Sequence, residues 1–194
     1  MTKIIGLTGG IGSGKSTIAS YIESKGIPVY ISDEAGRRLL YDPQILNEIK
    51  IAFGETIFEN GLLNKEKLAA VVFNNVNKLK ELNAIIHPAV KADFKSWLKV
   101  HQQEPLVVKE AAILFESGSN NDCDAVITVV APLDARIARV LARDKSSKKE
   151  VLKRINNQWT DEMRLAKSNY SIDNIDLNSA FKQVDDILKK IVIH

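Results

Sequence analysis

The sequence has a single cysteine, no long apolar run and little net charge, and each of these shortages excludes a class of protein. Cys123 is the only cysteine among the 194 residues, so an internal disulfide and a cysteine-based metal cluster are excluded. No apolar run is long enough to span a bilayer, and the apolar stretch near the N-terminus turns polar too soon for a signal peptide. We therefore expect no membrane partner and a reducing, cytoplasmic location.

The charge balance gives no indication of a polyanionic partner. There are 27 Lys and Arg residues against 24 Asp and Glu, a net charge of +3, so we expect no nucleic-acid partner. The hydrophobic fraction of 45% is enough for a packed core and excludes a disordered chain. The length suits one domain with a small insertion, and we expect a monomer or a weak homo-oligomer.

What the sequence does have is a glycine-rich loop, GGIGSGKST, directly after the apolar stretch IIGLT. The loop matches the Walker A pattern G-x-x-x-x-G-K-[ST], and a chance match is expected in about one chain in a hundred of this length. Glycines let successive backbone N–H groups surround a phosphate, and the helix predicted to follow adds its positive end. The loop is therefore predicted to hold a nucleoside triphosphate by its phosphates.

Two side chains of this loop have predicted roles in the chemistry. Lys15 is expected to reach the β- and γ-phosphates, and the Ser16 hydroxyl is expected to ligate Mg²⁺. The residues predicted to bind the nucleotide are Gly9, Gly10, Gly12, Ser13, Gly14, Lys15, Ser16 and Thr17.

Strands alternate with helices along most of the chain, which predicts a parallel sheet covered by helices on both faces. Short apolar runs are typical of buried strands, while apolar residues three and four apart are typical of helices. Five strands are predicted, at 3–8, 28–31, within 105–115, at 124–132 and at 170–174. Helices are predicted from Ser16 to before Gly26, over 136–145, from the capping box at 147–150 onward, and over 181–191.

The segment between the second and third predicted strands, about 34–104, shows only helical patterns. Pro43 and Asn64 are predicted to begin its first two helices. The pair His87–Pro88 is predicted to break a third helix before a fourth begins. A single crossover between strands needs far less helix, so we interpret this segment as an inserted helical subdomain.

A P-loop alone does not distinguish a kinase from a GTPase switch or a nucleic-acid-dependent ATPase. The DEAG segment at Asp33 resembles the D-x-x-G of GTPases, but it follows the P-loop too closely, and no N-K-x-D guanine motif is present. Asp33 lies at the carboxyl end of the second predicted strand, where it can accept a proton from a substrate hydroxyl. A helix N-cap without a catalytic role is the alternative.

The order and spacing of several segments resemble those of the dephospho-CoA kinases. These segments are GLTGGIGSGKST, SDEAGR, IIHP, ILFE, ARD and YSIDN, and the resemblance extends from Ile5 to Asn174. That family transfers the γ-phosphate of ATP to the ribose 3′-hydroxyl of dephospho-CoA, the last step of coenzyme A synthesis. A kinase of another small molecule, such as a nucleoside or nucleotide, is the alternative.

The resemblance implies a three-layer α/β/α P-loop kinase with a five-stranded parallel sheet, an inserted helical substrate domain and a helical lid. It also implies ATP and dephospho-CoA as substrates and Mg²⁺ as cofactor. The expected boundaries are 1–35, 105–135 and 169–194 for the nucleotide-binding core, 36–104 for the dephospho-CoA-binding subdomain and 136–168 for the lid.

The resemblance also implies roles for residues outside the P-loop. The catalytic Asp of the family falls on Asp33, the substrate-side Arg on Arg37 and the lid arginine on Arg143. His87 matches the His-Pro pair, although a helix cap is the alternative for it, and Asn174 matches the segment near the adenine.

Two acidic residues follow from the same resemblance. The family's P-L-L-x-E segment is AILFE here, which lacks the proline but keeps Glu116 as a substrate-side residue. Glu110 matches an acidic residue of the preceding strand and is expected to hold the metal through water. The family's D-A-D segment is Ile31-Ser32-Asp33 here, so its first acidic residue is missing.

Three arginines share one face of the helix predicted over 136–145, because Arg136, Arg139 and Arg143 are spaced i, i+3, i+7. Such a stripe is either a lid face that closes onto the transferring phosphate or a solvated basic face. The resemblance favours a catalytic role for Arg143, less strongly for Arg139 and hardly for Arg136. Further along, the arginine at position 154 and the glutamine at position 158 are four apart on one helix, and they are interpreted as a surface pair.

Overall fold

A five-stranded parallel sheet organises one of the two compact units into which the chain divides. The computed structural model describes residues 2–73, 75–144 and 146–193. The sheet unit contains the chain up to Ile31 and again from Val100, and the second unit is Ser32–Lys99.

In chain order, the helices and strands of the described residues are β1 (Lys3–Thr8), α1 (Lys15–Glu23), β2 (Val29–Ile31), α2 (Ser32–Leu39), α3 (Pro43–Phe53), β3 (Phe58–Glu59), β4 (Leu62–Leu63), α4 (Lys65–Phe73), α5 (Val76–Val100), β5 (Leu106–Glu110), β6 (Ala125–Val130), α6 (Leu133–Arg143), α7 (Lys148–Asn156), α8 (Asp161–Leu165), β7 (Tyr170–Asp173) and α9 (Leu177–Ile193). Short 3₁₀ turns occupy Glu55–Ile57 and Ser119–Asp122.

The strand order of the large sheet is β2-β5-β1-β6-β7, and every neighbouring pair is parallel. All five strands lie within the stretches predicted from the sequence, so the predicted α/β fold is confirmed. Because the strands run in one direction, their carboxyl ends meet at one edge of the sheet, where ligands bind in open α/β folds. The last residues of the five strands are Thr8, Ile31, Glu110, Val130 and Asp173.

Aliphatic side chains fill both faces of this sheet, as expected for parallel strands that read as continuous apolar runs. On one face, α1 and α9 pack against the strands in a single buried cluster that includes Ile5, Leu7, Ile18, Ile22, Ile127, Val129, Ile172, Val184 and Leu188. Val126 alternates with its neighbour on β6 and so faces the other side, where it packs with Leu114 and Phe115. The Phe115 ring stacks on Trp159 at 5.6 Å between centroids.

The second unit has its own apolar core, formed by the inner faces of α3, α4 and α5 together with the Glu55–Ile57 turn. Its buried members are Ile45, Ile49, Ile57, Leu63, Leu68 and Val72. Asp42 caps α3 by accepting from the N–H groups of Gln44 and Ile45, and Asn64 caps α4 by accepting from those of Glu66 and Lys67. The predicted starts of both helices are therefore confirmed.

The expectation that this unit contains only helices is wrong, because β3 and β4 form a short antiparallel hairpin. The turn between them is Asn60-Gly61, with φ of 50° and 76°. Asn-Gly is the pair preferred where both turn residues need positive φ. Each strand has two residues, which is too short to show the alternation by which strands are recognised.

The expected break at His87–Pro88 is also wrong, because α5 continues through Pro88 as one helix of 25 residues. A proline inside a helix removes one N–H donor and costs about 3 kcal/mol. The apolar residues Leu82, Ile85, Ile86 and Ala89 keep helical spacing across the proline and pack on the core of this unit. Burial of this face offsets the local cost, which the sequence pattern alone does not reveal.

Two further local predictions concern the chain after β6. The predicted capping box is present, since Ser147 Oγ accepts from the Glu150 N–H and the Glu150 side chain accepts from that of Ser147. The helix predicted over 136–145 is α6, which ends at Arg143; Lys145 lies outside the described residues. Across the described ranges, no helix combines the length and the apolar character needed to cross a bilayer.

Candidate active site

The glycine-rich loop connects β1 to α1 at the carboxyl edge of the sheet, and α1 begins at Lys15. Gly12 and Gly14 have φ of 79° and 91°, a left-handed backbone that other residues disfavour. A Cβ at Gly12 would overlap the backbone carbonyl of Arg136, and one at Gly14 would overlap the side-chain amide of Asn174. Both the backbone conformation and the lack of space require glycine at these two positions.

The first turn of α1 leaves its positive end available to an anion. Ser16 and Thr17 are exposed there, and this described helix has no acidic residue in its first turn. The Ser13 hydroxyl, by contrast, is fully buried and has no hydrogen-bond partner among the described residues. The loop thus presents unneutralised N–H groups and two solvent-facing hydroxyls, which is the donor set that phosphate oxygens need.

The structure brings Lys15 together with Glu110, although 95 positions separate them in the sequence. The loop that leads to Lys15 follows β1, which is the neighbour of β5, and Leu7 of β1 pairs with Glu110 in the register. The Lys15 Nζ lies 3.5 Å from Glu110 Oε1, and both side chains are nearly buried. An ammonium and a carboxylate therefore meet at the edge of the sheet, directly after the loop.

The described residues contain no cluster of three or more His, Cys, Asp or Glu side chains that would enclose a metal ion. Mg²⁺ commonly takes one or two protein ligands and completes its shell with water and phosphate oxygens. The exposed Ser16 hydroxyl and the Glu110 carboxylate are donors of the kind that this ion prefers, so the predicted pair fits a phosphate-dependent magnesium site.

Arg139 is directed at the P-loop rather than at solvent. Its Nη2 donates to the Asn174 carbonyl at 2.7 Å, and its Nη1 lies 3.4 Å from the Ser13 carbonyl and 3.5 Å from that of Gly12. The buried side chain of Asn174 donates to the same Ser13 carbonyl at 2.8 Å. Both predicted residues therefore lie against the loop.

Arg143, at the other end of the stripe, is 62% exposed. Its Nε donates to Asp144 Oδ1 at 2.9 Å, and this bond raises the pKa of the guanidinium and lowers that of the carboxyl group. Arg154 Nη1 contacts the other oxygen of Asp144 at 3.1 Å. One carboxylate thus holds two arginines at the surface, and the expected pair between Arg154 and Gln158 is replaced by this contact.

Arg136 differs from both, because it is buried and serves the loop structurally. Its Nε donates to the Ile11 carbonyl at 2.9 Å, and its Nη1 pairs with Asp161 Oδ2 at 2.9 Å. The Ile11 N–H donates to Gln158 Oε1 at 2.9 Å. These contacts of Arg136, Asp161 and Gln158 were not predicted, since no local pattern in the sequence links the three residues to the loop.

Glu116, predicted on the substrate side, is held in a buried ion pair. Its Oε1 accepts from Arg164 Nη2 at 3.1 Å and from the Trp159 N–H at 3.0 Å. Burial lowers the pKa of Arg164, and the carboxylates of Glu116 and Asp161 oppose that effect. Glu116 Oε2 is buried without a hydrogen-bond partner among the described residues, so a contact with substrate stays a prediction.

Three predicted residues lie in the second unit. Asp33 and Arg37 are four apart on α2 and both exposed. The helix begins at Ser32, so Asp33 lies within its first turn. An N-cap residue would precede that turn. His87 is half-buried within α5, and burial lowers its pKa. Because α5 is continuous there, the alternative of a helix cap at His87 is wrong.

Known proteins resemble this chain over nearly its whole length. Residues 3–179 match the family model described as dephospho-CoA kinase. The dephospho-CoA kinase of Bacteroides fragilis strain YCH46 is 39% identical over 171 residues, which are 88% of this chain and 83% of that protein. That of Fusobacterium nucleatum is 36% identical over 190 residues, 97% of this chain and 98% of the relative. The crystal structure of TT1252 from Thermus thermophilus is 33% identical with a TM-score of 0.88, covering 97% of both chains.

Proposed function

This chain belongs to the dephospho-CoA kinase family, and from that membership we propose that it transfers the γ-phosphate of ATP to the ribose 3′-hydroxyl of 3′-dephospho-CoA. The products are CoA and ADP. The P-loop supports this most directly, because Lys15 meets Glu110 at the edge of the sheet where a triphosphate would bind. Phosphoryl transfer depends on positioning and charge stabilisation more than on covalent chemistry by the protein.

On the nucleotide side, the loop N–H groups and the N-terminus of α1 bind the triphosphate. Lys15 moves from Glu110 towards the β- and γ-phosphates, and Asn174 lies near the adenine. Ser16 and, through water, Glu110 would hold Mg²⁺, whose charge would offset that of the phosphate oxygens. The remaining loop contacts come from Gly9, Gly10, Gly12, Ser13, Gly14 and Thr17.

On the acceptor side, Asp33 receives the proton of the 3′-hydroxyl as the new O–P bond forms and the bond from the γ-phosphorus to the ADP oxygen breaks. Its exposed position in the first turn of α2 leaves the carboxylate accessible. Arg37, His87 and Glu116 contact dephospho-CoA, and the segment 36–104 forms the subdomain that binds it.

The segment 136–168 is the lid over the reacting groups: its residues Arg136 and Gln158 stay anchored to Ile11, and the part around Arg143 closes. Arg143 leaves Asp144 and contacts the transferring phosphoryl group, while Arg139 acts from its place beside the loop. Closure excludes water and so suppresses wasteful hydrolysis of ATP. The exposure of Arg143 and its attachment to a surface carboxylate support this role, because such pairs are weak and easily exchanged.

The same proposal extends to the setting of the enzyme. We expect a cytoplasmic monomer or weak homo-oligomer that binds ATP and dephospho-CoA, with no nucleic-acid and no membrane partner.

Incubation with Mg-ATP and dephospho-CoA, with CoA detected by mass, tests the proposal. Lys15→Ala is the control, because it removes the phosphate contact and should abolish product while the fold is kept. A panel of nucleosides and nucleotides should give far less product than dephospho-CoA. Faster turnover of any member of that panel would refute the assigned acceptor, and full activity of Lys15→Ala would refute the assigned phosphate site.

A further inference from the structure

Both backbone polar groups of Ile11, midway along the P-loop, are bound by side chains from a distant part of the chain. The N–H donates to Gln158 Oε1 and the C=O accepts from Arg136 Nε, each at 2.9 Å. These contacts join positions 147 and 125 residues apart. The Ile11 N–H is thereby directed to a side chain, while the glycines on either side leave the loop free to bend.

Arg136 is itself fixed by a run of buried charges. Its Nη1 pairs with one oxygen of Asp161 at 2.9 Å, and Arg164 Nη1 lies 3.4 Å from the other. Arg164 continues the run to Glu116 at 3.1 Å. Because these charges are shielded from water, an arrangement that leaves one of them unpaired is strongly disfavoured.

Close packing leaves the loop no room to shift past Arg136. A Cβ at Gly10 would overlap its guanidinium, and one at Gly12 would overlap its backbone carbonyl. The loop backbone therefore rests directly on this side chain. Arg136 forms a rigid support on one side of Ile11, and Gln158 holds the other polar group of the same residue.

We propose that Gln158 and Arg136 are positioning residues that hold the P-loop in its phosphate-binding shape through Ile11. Fixing both polar groups of this residue sets the course of the backbone into Gly12, from which the phosphate-binding N–H groups follow. A loop ordered before ATP arrives loses less conformational freedom on binding. The inference rests on the proposed use of this loop for ATP, and it concerns nucleotide affinity rather than contact with dephospho-CoA.

Gln158→Met tests this, because methionine keeps the length of the side chain and removes the acceptor. Asn169→Leu is the matched control, since Asn169 Oδ1 accepts from the Val126 N–H at 2.9 Å in the same unit. Loss of the bond to Ile11 should weaken ATP binding about tenfold, measured by direct titration without acceptor. The control should bind ATP like the parent, while its melting temperature falls by about as much as that of Gln158→Met.

ATP affinity unchanged in Gln158→Met would overturn the proposal, and so would an equal loss in Asn169→Leu. The KM for dephospho-CoA should stay within about twofold of the parent value. If the variant does not fold, hydrogen exchange on the parent decides: slow exchange of the Ile11 amide without nucleotide supports the proposal, and fast exchange overturns it. A parent that binds ATP but does not phosphorylate dephospho-CoA would refute the proposed acceptor and leave this test intact.

Discussion

Replacing Arg164 with methionine removes a guanidinium whose side chain is 0% exposed, and it leaves the Glu116 carboxylate without its counter-charge. Arg164 also donates to the Trp159 carbonyl at 2.5 Å and lies 3.4 Å from Asp161. Breaking a buried ion pair from one side costs about 3–5 kcal/mol. Glu116 keeps 17% exposure, so we expect a loss of about 3 kcal/mol, at the lower end of that range.

A chain of this length loses about 2–4 °C of melting temperature per kcal/mol, so Arg164→Met should melt about 6–12 °C below the parent. Arg154→Met is the matched control, because its ion pair with Asp144 has the same 3.1 Å separation but the Arg154 side chain is 42% exposed. Exposed pairs contribute less than about 1 kcal/mol. The control should therefore melt less than about 4 °C below the parent.

Thermal unfolding followed by circular dichroism measures both shifts. The double variant Arg164→Met with Glu116→Leu should recover part of the loss, because no buried charge is then left unpaired. Equal shifts for Arg164→Met and the Arg154→Met control, or a double variant less stable than Arg164→Met alone, would refute the reasoning. Such a result would also contradict a stabilising role for the ion pair between Arg164 and Glu116, and only the predicted contact with substrate would then explain Glu116.

Three more outcomes can be checked directly. Asp33→Asn should lower turnover by roughly 10²–10⁴ with ATP affinity kept, and a variant as active as the parent would exclude a catalytic base at Asp33. Arg143→Ala should lower turnover by about 10³; unchanged turnover would make Arg143 part of a solvated face. Burial, the largest cause, raises the pKa of the Cys123 thiol to about 11, so about one thiol in a thousand is ionised at pH 8. Iodoacetamide should modify the folded protein far more slowly than the unfolded one, and equal rates would contradict this.

The features that sequence reasoning predicted correctly are those with local causes. The P-loop is a run of adjacent residues whose backbone conformation requires glycine at particular positions, and these glycines can be recognised in the sequence. It lies between β1 and α1, as its pattern requires. The capping box at Ser147 and Glu150 is likewise complete within four residues. The strands β1, β5 and β6 could be found because they are buried along most of their length and appear as largely apolar runs. The strand β7 alternates between buried and exposed residues instead.

The predictions that were wrong involve a local signal outweighed by packing. Pro88 usually ends a helix, yet α5 continues because the residues around it bury a face against the second unit's core. The hairpin at Asn60 and Gly61 carries a clear turn signal, but strands of two residues give it no flanking pattern. The contacts of Ile11 could not be predicted at all, since nothing in one sequence pairs positions more than a hundred residues apart.

The three arginines of α6 show how a correctly predicted helix face leaves the chemistry open. A rise of 1.5 Å per residue spreads Arg136, Arg139 and Arg143 over about 10 Å of helix, so each meets different surroundings. The first two donate to backbone carbonyls in and beside the P-loop. Leaving such an acceptor unpaired costs about 1–3 kcal/mol when it is buried, and this cost keeps Arg136 and Arg139 in place.

Arg143 is bound to a carboxylate in contact with solvent, and ion pairs of this exposed kind are weak. Under the proposed function, the transferring phosphoryl group would carry more charge than Asp144 and would draw Arg143 away at little cost. Arg139 has no such freedom and would stabilise the same group only from where it already lies. In the proposed mechanism, this difference in attachment gives the closing movement of the lid to Arg143 and the fixed charge to Arg139.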